Sequence, residues 1–451
     1  MAEQPLRIHI ISLGCPKNLV DTEVVCGGLA TLGAAIVPTM EEAQVVLINT
    51  CSFIRDARVE AEEEVSRALA WREEAPDARW VVVAGCLPQR DLAETRQAFP
   101  EVDLFCGLDD VPSMAERIHA LVRGERCQQE KTAGFPAPRY LYDHETPRLL
   151  TTPGRYAYVK IAEGCDHRCS FCAIPAIRGR QRSRAAASVV RECRNLIEMG
   201  VCELNLVAQD ATRYGRDRDD GDTLGGLLRE LNRLPGTFWI RVLYTHPLYW
   251  TDDLVQTFAD CEKVVPYVDI PLQHIAQPVL ERMGRGLGED ETRRLLTQLR
   301  EGIPGAIVRT TFLVGFPGER REDFDRLLQT VREYRFDRMG VFVYSSERGT
   351  RASRIESGLV SEKTAEARRD LLLRTQQEIA EENNRALIGK RMTVLLDWPE
   401  DQQTWTARSV GDAPEVDNAI HVSPVPEEAG PGFAEVRITD AGPYDLEARL
   451  M

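Results

Sequence analysis

No apolar run in the 451 residues reaches the roughly 18 needed to cross a bilayer, so no membrane-spanning helix is expected. The segment Met1 to Pro5 lacks a basic stretch followed by an apolar run and a small-residue cleavage site, which argues against secretion and for a reducing, cytoplasmic setting. A positive surplus is missing too. The 56 Lys plus Arg against 71 Asp plus Glu leave a formal charge of −15, which disfavours a general nucleic-acid binder. Twelve cysteines in a reducing compartment point to metal or redox chemistry rather than to a disulfide framework, with several expected to be simply buried.

What is present is a tight cysteine cluster in the stretch Gly164-Cys165-Asp166-His167-Arg168-Cys169-Ser170-Phe171-Cys172. Three thiolates can hold a four-iron cluster and leave one iron without a protein ligand. This C-x3-C-x2-C spacing resembles the cluster loop of radical S-adenosylmethionine (SAM) enzymes. Structural zinc is the competing reading. It requires four N or S ligands, and the usual C-x2-C pair with a distant partner pair is absent, although His167 could supply a fourth.

The chain falls into three segments, residues 1–134, 150–385 and 386–451. In the first, short apolar runs (Ile8 to Leu13, Val45 to Ile48, Trp80 to Ala84, Val102 to Phe105) alternate with helical stretches such as Asp56 to Trp71, the signature of an open parallel α/β sheet. Cys15, Cys51 and Cys86 each stand at a strand exit, where such sheets bind ligands. Three buried structural thiols would look the same. Cys106 also follows a strand, and Cys26 falls within a helical pattern. A Pro-containing connector, residues 135–153, leads to six strand candidates: Tyr156 to Ile161, Glu203 to Val207, Trp239 to Leu243, Val268 to Ile270, Val308 to Val314 and Val341 to Tyr344. With helices between, they predict an incomplete (βα)6 barrel whose active site lies at the strand C-termini. A charged helix, Ser361 to Ala386, follows. The last segment alternates apolar and polar residues between Gly, Pro and Asp turns, which predicts a small antiparallel β-barrel. From Ile388 onward it carries five basic and twelve acidic residues, −7 in all. Such a surface attracts a basic partner and repels phosphate. Charge kept only for solubility is the plainer account.

Over essentially its full length the sequence resembles the radical-SAM methylthiotransferase family. The resemblance is carried by Ser12-Leu13-Gly14-Cys15-Pro16-Lys17-Asn18-Leu19-Val20-Asp21, by Gly164 to Pro175, and by Val207-Ala208-Gln209-Asp210-Ala211-Thr212-Arg213-Tyr214-Gly215. Within the family it looks like the branch that methylthiolates the β-carbon of an aspartate in the twelfth protein of the small ribosomal subunit. The tRNA adenosine methylthiotransferases typically show Gly-Cys-Gln-Met-Asn around the first cysteine and a basic final barrel, whereas this chain has Gly14-Cys15-Pro16-Lys17-Asn18 and an acidic one. A non-catalytic, zinc-bound ribosome-assembly scaffold is the reading from another class.

The resemblance implies two 4Fe-4S clusters, one on Cys165, Cys169 and Cys172 and an auxiliary one on Cys15, Cys51 and Cys86, with Cys106 a bystander. It implies a C-terminal TRAM domain that binds the substrate. Removing hydrogen from an unactivated carbon is beyond acid-base catalysis. The implied route is a 5′-deoxyadenosyl radical from SAM, with a second SAM methylating a sulfur held at the auxiliary cluster. A basic ribosomal protein, an electron donor such as flavodoxin or ferredoxin and a sulfur source are the implied partners, with no membrane and no direct tRNA substrate. Gln209, Asp210, Gln273 and Gly315 fall at the barrel rim where SAM is expected, with His274 and Glu319 beside them. The Gly315 region resembles the family's SAM-adenine segment, though Gly-Phe-Pro-Gly also reads as a plain turn. The basic run Arg178 to Arg184 could hold the cofactor carboxylate or the substrate aspartate, or be a solvated surface stretch.

Overall fold

The computed structural model describes residues 5–125, 134–152, 155–426 and 430–451. Pro153, at the end of the expected connector, lies outside them. The chain divides into two compact units. One comprises Met1–Thr151, Glu163–His167 and Cys172–Arg182; the other comprises Thr152–Ala162, Arg168–Phe171 and Ser183–Met451.

The first unit is built on an all-parallel sheet of β1 (Arg7–Ser12), β2 (Ala35–Ile36), β3 (Val45–Thr50), β4 (Trp80–Gly85) and β5 (Leu104–Cys106), in the order β2-β1-β3-β4-β5. Every residue of β3 is buried, as expected for a parallel strand covered on both faces. Val46 and Ile48 pack with Val81 and Val83 against Val65, Ala68 and Trp71 of the helix Arg55–Glu73. The edge strand β2 has only two residues, too few to leave a periodic signal in the sequence.

In the second unit six parallel strands form the partial barrel: β6 (Tyr156–Lys160), β9 (Glu203–Val207), β10 (Trp239–Val242), β11 (Tyr267–Asp269), β12 (Ile307–Val314) and β13 (Arg338–Val343). Two-residue strands β7 (Ala162–Glu163) and β8 (Arg182–Ser183) flank the cysteine loop in sequence. The order is β10-β9-β6 and β11-β12-β13, and a parallel bridge from Ile240 to Val264 joins the two halves. The charged helix runs Glu362–Arg385. It starts where Ser361 Oγ accepts a hydrogen bond from the Thr364 N–H (3.2 Å), and its far end is tied down by Asn384, which donates to the carbonyls of Gly442 and Tyr444. The C-terminal strands β14 (Arg391–Pro399), β15 (Trp405–Arg408), β16 (Ile420–Val422), β17 (Gly432–Ala441) and β18 (Leu446–Leu450) close a barrel. Its ladders are antiparallel except for β16 with β18, which run parallel.

Residues 408–417 of this small barrel sit against the N-terminal ends of the (βα)6 strands. Glu203, the first residue of β9, receives Arg241 Nε at 2.7 Å and is also bonded by Arg408. Arg408 is held from its other side by Asp397 at 2.6 Å, and Arg241 also donates to the Val410 carbonyl at 2.8 Å. Arg338 pairs with Asp412 at 2.6 Å, Arg309 bridges Asp269 and Asp417, and Tyr156 donates to Glu415. These contacts correct one expectation. Asp412 and Asp417 do not form a solvent-facing surface for a basic partner; their side chains are 3% and 4% exposed and are spent on internal arginines. Glu415, though exposed, is engaged by Tyr156.

Burial opposes the charge on Glu203, yet Arg408 and Arg241 outweigh it and hold the carboxylate below the usual range. Glu203→Ala leaves two buried guanidinium groups without their shared carboxylate and is expected to cost about 3–5 kcal/mol. Exposed Glu366→Ala is expected to stay within about 0.5 kcal/mol. Urea unfolding of the two variants checks this, and equal midpoints would contradict the assignment of Glu203 as the keystone.

Candidate functional site

Three cysteines stand at adjacent strand exits of the first unit. Cys15 follows β1 and is the residue before helix Pro16–Thr31, Cys51 follows β3, and Cys86 opens helix Cys86–Ala98 after β4. Helix N-termini favour a thiolate over a thiol. All three are free thiols. Polar side chains fasten the exits to one another. Asn18 donates to the carbonyls of Leu13 and Thr50, both at 2.9 Å, and Asn49 donates to the Asn18 carbonyl and to Thr22 Oγ1. Thr50 Oγ1 donates to the Ala84 carbonyl and accepts from the Leu87 N–H.

Two glycines make the approach possible. Gly14, at φ +89°, leaves no room for a Cβ, which would fall 2.6 Å from Cys51 Cβ and 2.9 Å from its sulfur. Gly85, at φ +93°, would place a Cβ 2.3 Å from Asn49 Oδ1. Burial works against ionising Cys15, but Lys17 and Arg178 outweigh it and lower its thiol below the ordinary value. Burial pushes Cys51 up, and Cys86 up to about 12. Three thiols in mutual electrostatic reach, beside a buried cation and a glycine cradle, suit a cluster that takes three thiolates.

Cys106 stands apart from them. It lies within β5, paired with Ala84 in the ladder, and is fully buried. Cys26 is a packing residue of the first helix, its thiol pushed to about 12 by burial.

The second triple is close in sequence, with Cys165 and Cys172 in the first unit and Cys169 in the second. In the first unit, the Cys165 N–H donates to the Gly179 carbonyl at 3.1 Å, its sulfur accepts the His167 N–H at 3.4 Å, and Cys172 leads into the helix Ile174–Arg178. Gly164, at φ +81°, passes so close to Arg180 that a Cβ would lie 2.1 Å from its carbonyl oxygen. In the second unit, Arg285 Nη1 lies 3.5 Å from the Cys169 sulfur, and its Nη2 is pinned on the Pro271 carbonyl at 2.6 Å. Ser170 fastens the same piece through its N–H to the Met283 carbonyl and its hydroxyl to the Arg282 carbonyl. Three thiols closely spaced in sequence, one of them under a guanidinium, again suit a thiolate-ligated cluster.

The expected rim residues lie at strand C-termini. Gln209 and Asp210 follow β9 after Ala208, and Asp210 accepts the Thr212 N–H at 2.9 Å to start a short turn. Gln273, in the left-handed region at φ +71°, is bridged to Phe312 of β12. Gly315 follows β12 at φ +77°, and a Cβ there would lie 2.5 Å from Ala365 Cβ. The N–H groups of Gly315 and Phe316 both donate to Glu319, whose other oxygen faces Arg368 at 3.1 Å and His274 Nε2 at 3.8 Å. His274 Nδ1 accepts the Ala276 N–H, so this histidine and Glu319 shape the loops that carry Gln273 and Gly315.

The basic run is not a solvated stretch at its two ends. Arg178 is buried within the first unit, and Arg184 is buried on Glu192 and the Lys160 carbonyl in the second. Only Arg180 among these three extends into solvent. The roles of Asn18, Asn49 and Arg178 were not apparent in the sequence. A usable signal existed for Asn49, a polar residue ending the apolar run Val45-Val46-Leu47-Ile48.

Residues 7–107 match the uncharacterized protein family UPF0004, residues 159–331 the Radical SAM superfamily and residues 388–451 the TRAM domain. The structure resembles that of the radical S-adenosylmethionine methyltransferase TsrM from Kitasatospora setae with cobalamin and a 4Fe-4S cluster bound, with a TM-score of 0.56, 18% identity and 75% of each chain covered. That likeness concerns the fold alone. Two relatives, from Opitutus terrae and Geotalea uraniireducens, are named ribosomal protein uS12 methylthiotransferase RimO. They are 43% and 42% identical, covering 98% and 99% of this chain and 96% and 98% of theirs. The fold and these matches define a radical-SAM enzyme with a TRAM domain, a class that uses an iron-sulfur cluster and SAM. Within that class the chain belongs to the RimO family of uS12 methylthiotransferases.

Gly14→Ala combines an unfavourable left-handed residue, about 1–2 kcal/mol, with a collision against a candidate ligand. It is expected to lower iron bound after anaerobic reconstitution. Gly33→Ala, which has φ +76° but nothing within 4 Å, is expected to leave iron content unchanged. Equal iron in both proteins would show that the Gly14 cradle is irrelevant to metal uptake.

Proposed function

We propose that this chain methylthiolates the β-carbon of an aspartate in the ribosomal protein uS12. Two 4Fe-4S clusters would be held, one by Cys165, Cys169 and Cys172 and the other by Cys15, Cys51 and Cys86. When bound, the clusters and SAM supply one-electron cleavage of a sulfonium bond and an exchangeable sulfur, chemistry that no side chain can provide. The observation that carries the reading is the second set of thiols: Cys15, Cys51 and Cys86 gathered at three strand exits around one buried guanidinium. A radical-SAM enzyme working with one cluster has no need of that arrangement.

The chain's own residues then have distinct tasks. Arg285 fixes the Cys169 side of the loop from the barrel. Gln209, Asp210, Gln273 and Gly315 would line the SAM site at the strand C-termini, with Glu319 holding the Gly315 turn by two backbone N–H groups. Asn18 and Asn49 keep the auxiliary thiols in register. The C-terminal barrel would receive the basic substrate through the acidic residues it does not spend inward, among them Glu400, Asp401, Glu435 and Glu447. Its inner charges close the catalytic barrel instead. An external electron donor of the flavodoxin or ferredoxin type and a sulfur source complete the cycle, which would run in the cytoplasm.

Replacing Cys165, Cys169 and Cys172 with Ala is expected to abolish 5′-deoxyadenosine formation while leaving iron for one cluster. The Cys15, Cys51 and Cys86 triple variant is expected to keep forming 5′-deoxyadenosine but to transfer no methylthio group. Chromatography of the nucleoside products, with mass spectrometry of uS12 and, in parallel, of tRNA, reads both outcomes. Modified tRNA with unmodified uS12 would overturn the substrate assignment, and normal transfer by the second variant would reduce the strand-exit cysteines to packing.

A further inference from the structure

Arg178 is among the largest fully buried side chains, at 2% exposure, and its partners are more specific than charge neutralisation requires. Nη1 takes both carboxylates, Glu163 at 2.8 Å and Asp21 at 3.1 Å. Those two contacts would suffice to compensate a buried cation. Nη2 faces the other way, bonding Asn18 Oδ1 and lying 3.5 Å from the Cys86 sulfur. The Cys86 sulfur is in turn 3.7 Å from the same Asn18 oxygen. The carboxylates therefore orient the fork, and the orientation aims an N–H at a candidate cluster ligand. The same charge reaches Cys15 and Cys51. Arg178 ends the helix that begins two residues after Cys172, so the segment following the radical-SAM cysteines delivers this cation to the other set.

We infer that Arg178 is a positioning residue for the auxiliary cluster: its guanidinium fixes the Cys86 thiolate, and its charge raises that cluster's reduction potential. The inference rests on the assignment of a cluster to Cys15, Cys51 and Cys86 made above. Cluster potentials depend on net charge, hydrogen bonds to sulfur and solvent exposure. A buried cation with an N–H directed at sulfur acts through the first two, and burial keeps it unscreened. Lysine would preserve the charge but, as a compact ammonium, could not span the carboxylates and the sulfur with a fixed fork.

The test uses full-length protein in which Cys165, Cys169 and Cys172 are replaced with Ala, so that only the auxiliary cluster gives a signal, reconstituted with iron and sulfide. Midpoint potentials come from redox titration followed by electron paramagnetic resonance. Adding Arg178→Gln is expected to lower the potential by the equivalent of about tenfold in the reduction equilibrium, ~59 mV for one electron. Arg178→Lys is expected to fall between that value and the parent. A loaded Arg178→Gln protein with an unchanged potential overturns the inference. If Arg178→Gln takes up no iron, the lysine variant decides: restored loading supports the role of charge. Lysine protein that stays empty, folded or not by circular dichroism, overturns it in favour of a purely architectural ion pair. A parent protein without iron would instead defeat the cluster assignment itself.

Discussion

Glu203 accepts two guanidinium groups at a point where no water can reach, and the second unit is organised around that compensation. A parallel barrel of six strands has two open ends with different needs. The C-terminal end must stay accessible because loops there carry the chemistry. The N-terminal end must be sealed without unpaired polar groups, since a buried charge lacking its partner costs several kcal/mol. Here the seal is the chain's own C-terminal barrel. Arg241 stacks over the Tyr267 ring at 4.6 Å while bonding Glu203, and Arg408 lies over Tyr156 at 5.1 Å, so aromatic faces cover the cations that the carboxylates neutralise. The small barrel is therefore a structural part of the unit before it is anything else.

The first unit solves a related problem at its strand exits. Bringing three thiols together requires the chain to turn sharply where an apolar strand ends, and left-handed glycines at positions 14 and 85 precede two of the three cysteines. The turns release backbone carbonyls of Leu13, Thr50 and Ala84, which must be satisfied in the absence of water. Asn18 and Thr50 do so with side chains. The polar cluster around the thiols is thus a consequence of how the strands end, and it also supplies fixed dipoles at the candidate ligands.

Much of this was legible from residue order alone. Val45 to Ile48 is short, apolar and mostly β-branched, Glu203 to Val207 alternates polar with apolar residues, and the six barrel strands and the closing small barrel appear where periodicity placed them. The two-residue strand β2 and the parallel pairing of β16 with β18 were not legible, because a pattern of two or three residues does not encode a partner or a direction. At the sites, spacing could identify cysteines as possible ligands, but it could not identify Arg178 or Arg285, whose targets lie 92 and 116 residues away in sequence.

Charge was the least legible quantity, and the reason is physical. A formal charge of −7 over the last segment counts Asp397, Asp412 and Asp417 equally with Glu400 and Glu447. Position changes what each can do: the first three compensate arginines inside the unit, whereas an exposed carboxylate contributes to a long-range field that salt screens over about 10 Å. Burial raises the pKa values of Asp397 and Asp417, so these two resist ionisation where they are most needed as counter-ions. Their arginines pull in the opposite direction. The acidity that suggested a docking face is therefore partly the internal adhesive of the catalytic barrel, and any steering of a basic substrate falls to the carboxylates left outside.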